Sequence, residues 1–162
     1  MAAAMTGDAA VPSLYEWMGS ESRLSGLFGE FYRRVALDPL IGPVFASMDV
    51  LHAKKVAAFV GQVFGGPSRY TDEGGSHAAM IARHMGRMLT AEQRHRWVTL
   101  LIETADHVGV PEDPEFRAAF VGYIEWGSRL AVMNSVDGVS MPEAQLPMPI
   151  WNWGPPGGPW RG

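Results

Sequence analysis

Apolar residues in this chain recur every three or four positions in one segment after another, and that spacing limits the folds open to it more than any other feature. Between Ser20 and Leu37 the repeat runs through Leu24, Leu27, Phe28, Phe31 and Val35, which draws one buried stripe along a helix. Asp38-Pro39 stops it. The apolar stretch from Ile41 to Met48, interrupted by Pro43, reads as a compact corner. A second helix is predicted from about Leu51 to Phe64, with His52, Val56, Phe59, Val60 and Val63 on one side and Gly65-Gly66-Pro67 at its end. Ser68 to Ser76 is predicted as loop. From His77 to Met88 the helical spacing returns through Met80, Ile81, His84, Met85 and Met88.

Thr90-Ala91-Glu92-Gln93 has the form of a capping box, in which a hydroxyl and an amide satisfy the free donors of a helix start. The helix it opens carries Trp97, Leu100, Leu101, Ala105 and Val108 and is closed by Pro111. Asp113-Pro114-Glu115 opens the last helix, whose buried face continues through Phe116, Phe120, Tyr123, Gly127 and Leu130. No run alternates apolar and polar residues convincingly, so the predicted fold class is all-α.

A length of 162 residues suits one domain with one substantial core. Residues 1–12 read as a flexible leader, 13–135 as the folded domain, and 136–162 as a tail rich in Pro, Gly and Trp that cannot be helical throughout. Apolar residues at 47% against 19% charged favour an ordinary packed protein over a disordered one. With a net charge of -4 and scattered basic residues, nucleic acid is not an expected partner. No apolar run approaches about 18 residues and no secretory leader pattern is present, so neither a membrane nor export is expected. The chain has no cysteine, which excludes thiolate chemistry and suits a cytoplasmic location.

Any soft-metal chemistry therefore falls to the five histidines. No pair has the spacing of a zinc-peptidase helix. His84 stands out because bulky apolar residues flank it on its own stripe, where a bare imidazole is costly unless hydrogen-bonded or ligated. Two readings of it stay open on pattern alone: a core histidine satisfied by a backbone carbonyl, or the ligand of a cofactor such as haem iron. His77, His95 and His107 read as surface or capping residues, and Met80, Met85 and Met88 as gap-filling core.

Several features together resemble the group II truncated haemoglobins from about Leu14 to Ser135. They are Phe31-Tyr32 in the first long helix, Phe45 at the corner, Phe64-Gly65-Gly66-Pro67 with Tyr70 after the second, and Gly75-Ser76-His77 leading to Arg83-His84. Trp97 follows thirteen residues later. The resemblance implies a truncated globin fold, a two-over-two helical sandwich around haem b, with His84 as the proximal iron ligand. It also implies that Tyr32 and Trp97 present hydrogen-bond donors to a bound diatomic ligand, that Phe45 stacks on the porphyrin, and that Val56 lines the distal wall. Tyr70 and Met80 belong to the same implied cofactor set. His52, one turn before Val56, falls at the distal mouth or on the surface; Lys55 and Arg83 suit the haem propionates or are solvated charges. The chain departs from the family at Gly19-Ser20, in the spacing from Asp49 to Phe64, and in its tail, which is expected to fold back across the domain or to grip a partner.

The leading functional expectation is a haem protein for the binding and transport of dioxygen or another diatomic ligand. An alternative is a haem enzyme on the same pocket, a nitric oxide dioxygenase or a peroxidase-like protein, which would need an electron donor such as a reductase. A lesser alternative is a haem-free helical interaction module using the Trp-rich tail.

Overall fold

A computed structural model describes residues 10–160. Among them are seven helices and no strand: α1 (Leu14–Met18), α2 (Ser20–Leu37), α3 (His52–Val63), α4 (Arg69–Asp72), α5 (His77–Ala82), α6 (Ala91–Val108) and α7 (Pro114–Ser135), with a 3-10 turn over Gly42–Phe45. Helix α2 packs on both α3 and α6, and α6 packs on α7, which builds the expected two-over-two sandwich. The stripe read along α2 is the centre of the core: Leu24, Leu27, Phe28, Phe31 and Val35 are all buried. Phe64, Leu101, Phe116 and Phe120 meet it from the other helices.

Helix boundaries follow local chemistry. Gly19, at φ 109, ends α1 and begins α2, a left-handed geometry open to glycine at little cost. The capping box forms as read: Gln93 N–H donates to Thr90 Oγ1 at 3.1 Å, and Thr90 N–H to Gln93 Oε1 at 2.9 Å. Asp113 caps α7 by accepting from Phe116 N–H at 3.1 Å. Helix α6 stops at Gly109, in the left-handed region at φ 79, two residues before the proline expected to close it. The segment expected to be loop contains the single turn α4.

The largest difference lies at α5. Its helix ends at Ala82 instead of continuing to Met88, and His84 and Met85 bond to carbonyls three residues back, at Ile81 and Ala82. Gly86 then turns into the left-handed region, Met88 follows at φ 50, and Met88 N–H donates to the Ser135 carbonyl on α7. The apolar spacing thus outlasts the helix: His84 stands in a turn, and Met88 is 53% exposed rather than core.

The leader reading falls mostly on residues 1–9, outside the described residues. The tail has no helix between 136 and 160 and runs back across the body. Trp153 is buried, and its indole N–H donates to the Pro12 carbonyl at 2.7 Å. No helix among the described residues is long and apolar enough to cross a membrane.

Candidate haem site

Five elements, α2, α3, α5, α6 and α7, enclose a cavity of about 400 Å³, within the usual range of about 300–1,000 Å³ for small-molecule sites. Nine of the ten side chains singled out from the sequence line it: Tyr32 from α2, Phe45 from the corner, His52, Lys55 and Val56 from α3, Met80 from α5, Arg83 and His84 from the turn after α5, and Trp97 from α6. Tyr70 is the exception. Its ring packs edge-on against Phe59 at 5.1 Å and its hydroxyl donates to the Ser76 carbonyl at 3.1 Å. A Cβ on Gly75 would lie 2.5 Å from that ring, so Tyr70 and Gly75 form a close packing joint beside Phe59.

His84 has the backbone-carbonyl partner of the first reading, on one ring nitrogen only. Nδ1 lies 2.9 Å from the Met80 carbonyl. A carbonyl only accepts, so the ring donates from Nδ1, and a neutral imidazole then carries its lone pair on Nε2. Burial lowers the His84 pKa, opposed by the Met80 carbonyl and assisted by Arg87 and Arg83, which favours that neutral form.

Across the cavity Tyr32 lies among aromatic rings, 4.9 Å from Phe31 and 5.7 Å from Phe45, while Phe31 meets Trp97 at 5.3 Å. Burial pushes the Tyr32 phenol above its ordinary range, with the Trp97 side chain acting in the opposite direction. The group therefore stays a proton donor throughout the physiological range. His52 stands edge-on to Tyr32 at 4.7 Å and 6.2 Å from Phe45. Its Nε2 is buried without a hydrogen-bond partner, and burial, with the charges of Arg83, His84, Arg87 and Lys55, lowers its pKa to about 4. His52 is therefore part of the cavity wall.

At the rim, Lys55 reaches Asp49 at 3.5 Å, an exposed pair of small energetic weight. Arg83 makes no ion pair among the described residues, and neither does Arg87, which sets its guanidinium against the Val44 and Arg83 carbonyls. Both arginines border the cavity.

Two side chains assigned to surface or packing also reach the cavity. His77 lines it, with Nδ1 buried and unpartnered, and Trp126 lies beside it at 6.4 Å. The signal for His77 was available in its spacing: His77, Met80, Ile81 and His84 fall at i, i+3, i+4 and i+7, the interval that places residues on one face. Arg87 had no comparable signal, because its approach depends on the turn that ends α5.

An all-helical two-over-two body enclosing a largely apolar cavity is the architecture of a truncated globin. Residues 13–125 match the profile of the bacterial-like globins. Over 115 residues the chain is 38% identical to the group 2 truncated hemoglobin YjbI of Bacillus subtilis, covering 71% of this chain and 84% of that one. Among solved structures it is similar to a truncated oxygen-avid haemoglobin from Bacillus subtilis, at 36% identity and a TM-score of 0.66 over 75% of this chain and 99% of that one. It is also similar to a group II truncated hemoglobin from Bacillus anthracis, at 25% identity and a TM-score of 0.69, over 80% and 97% of the two chains. The chain belongs to the bacterial-like globins and, within them, to the group II truncated haemoglobins.

Proposed function

We propose that the cavity would hold haem b through His84 Nε2, the nitrogen available to its iron, and that a diatomic ligand, dioxygen foremost, would be met by Tyr32 and Trp97. The residues present fit the group. Haem needs an apolar slot, a neutral imidazole with a free lone pair, and cations for two carboxylates, and this wall offers all three. The observation that carries the reading is the His84 Nδ1 bond to Met80, since it commits one nitrogen as donor and leaves the other as ligand. Haem, when bound, supplies an iron centre that takes up small diatomic molecules.

Each part of the wall has a task in this reading. Tyr32 O–H and Trp97 N–H donate to the negative end of a polarised ligand, and the apolar surroundings strengthen those bonds. Phe45 and Val56 keep water out, and Met80 fills space on the His84 side. Arg83 and Arg87 pair with the haem carboxylates more readily than Lys55, whose ammonium already has Asp49.

A second reading, a haem enzyme acting on nitric oxide or peroxide with an external electron donor, draws on one observation. His52 Nε2 is buried, unpartnered and next to Tyr32, so a group able to accept or donate a proton lies beside the ligand side of the cavity. A cytoplasmic location suits both readings, in which thiol chemistry has no part.

The test is spectroscopic. The chain purified with haem should show a Soret band and, in the ferrous state, an iron–imidazole stretching band. In His84→Gly that band should vanish, and added imidazole should restore an axial ligand. A His84→Gly protein with wild-type haem affinity and an unchanged iron–imidazole band would overturn the assignment. Nitric oxide or peroxide turnover no faster than that of free haemin would remove the second reading. A folded chain that takes up no haem would favour the helical interaction module.

A further inference from the structure

The tail lies beyond the stretch matched by the globin profile, yet one of its residues forms the outer layer of the cavity wall. Trp151 is tied down twice: its backbone N–H donates to the Val63 carbonyl at the end of α3, and its indole N–H to the Ala119 carbonyl on α7, both at 2.9 Å. Its ring lies 5.6 Å from Tyr123 and 5.7 Å from Trp126. Trp126 in turn lies 6.4 Å from His77, and the successive planes differ by only 36° and 32°. Tyr123, Trp126 and His77 line the cavity; Trp151 does not.

We propose that Trp151 is a positioning residue of the haem pocket, holding Trp126 and Tyr123 against His77 and so closing the pocket where α5 meets α7. Two features make this wall depend on outside support. Helix α5 spans six residues, too few to persist on its own hydrogen bonds. Trp126 is already 37% exposed, so removing the ring that backs it gives water a second face. Helix α5 also carries Met80, whose carbonyl orients His84, so slack at the His77 end is passed to the imidazole at the other. The consequence for haem retention rests on the cofactor reading above; the closure of the wall does not.

Carbethoxylation of histidines on the full-length chain, with and without haem, read residue by residue by mass spectrometry, tests the idea. In the wild-type chain His77 should react at least about tenfold more slowly than the exposed His95 and His107. Trp151→Ala should raise the His77 rate about tenfold, and Trp151→Phe, which keeps an aromatic ring against Tyr123 and Trp126, should stay within about twofold of wild type. Trp153 packs on Trp17 and Phe116 away from the cavity, so Trp153→Ala should lower the melting temperature and leave the His77 rate unchanged. In the haem-loaded protein, Trp151→Ala should speed haem transfer to an acceptor globin while Trp153→Ala does not. Wild-type His77 reacting as fast as His95 would overturn the proposal, and that measurement stands even if Trp151→Ala fails to fold. An unchanged His77 rate in folded Trp151→Ala, or an equal rise in Trp153→Ala, would overturn it too. Because the label is read without haem as well, a chain that binds no haem still reports on Trp151, and the two ideas can fail separately.

Discussion

Replacing Asp38 tests how the corner that carries Phe45 is held in place. The Asp38 side chain is only 6% exposed and accepts three hydrogen bonds: Leu40 N–H at 2.9 Å and Ile41 N–H at 3.0 Å on Oδ1, and Arg96 Nε at 2.7 Å on Oδ2. It joins the end of α2, the start of the corner and α6. In Asp38→Ala two backbone donors and a guanidinium lose their acceptor. Removing one member of a buried ion pair costs about 3–5 kcal/mol; Arg96 is 37% exposed and recovers water, which puts the expected loss near the lower bound, about 3 kcal/mol. For a chain of this size that lowers the melting temperature by about 6–12 °C. Asp38→Asn keeps an acceptor for the two N–H groups and loses only the charge, for about 1–2 kcal/mol.

The pH dependence separates the charge from the shape. Arg96, and then the Ile41 and Leu40 N–H groups, hold the Asp38 carboxyl below its ordinary value against the opposing effect of burial. A depressed folded pKa means that the stabilisation is complete above the unfolded value, about 3.9, and fades as pH falls through the folded one. Urea unfolding followed by circular dichroism at pH 7, and then in steps below pH 4, should show the gap between wild type and Asp38→Asn closing on acidification. Equal stability of the two proteins at pH 7, or a gap that does not change with pH, would refute the role given to the Arg96 pair.

Three further outcomes are expected. In the haem-loaded protein Tyr32→Phe should raise the dissociation rate of bound dioxygen by about tenfold or more, as loss of one donor in a dry site implies, and stopped-flow ligand replacement measures it. Thr90→Ala should cost about 1 kcal/mol in urea unfolding, because it removes one half of the capping box. The haem-free chain should show a flat NMR titration for His52 from pH 8 to 5, given a pKa near 4; since the unfolded imidazole takes its proton near pH 6.5, this residue makes stability fall from there as pH drops towards the folded value.

The readings that held were those whose causes lie within a few residues of each other. The Thr90-Gln93 box, the Asp113-Pro114 start and the α2 stripe each act through a single turn of helix, so the residue types suffice to identify them. The reading of α5 failed for the complementary reason. Its apolar spacing describes which side chains face inward, but its length is settled by Gly86 and by the bond from Met88 to Ser135, 47 residues away. Tyr70 packs on Phe59 instead of lining the cavity, a relation between two helices that its motif does not encode. His77 reads as exposed because it is a polar residue at a helix start, although its spacing from Met80, Ile81 and His84 puts it on their face.

By itself the sequence determined the helical class, most helix starts and the core stripe, because hydrophobic periodicity and capping are local properties of the chain. Only the tertiary structure decided which residues meet. It turned His84 Nδ1 to the Met80 carbonyl, left His52 and His77 each with an unpaired nitrogen, and drew Trp151 from beyond the matched globin stretch to the back of Trp126. Those relations join residues far apart in the chain, and their geometry is set by how whole helices pack, which no short window of sequence records.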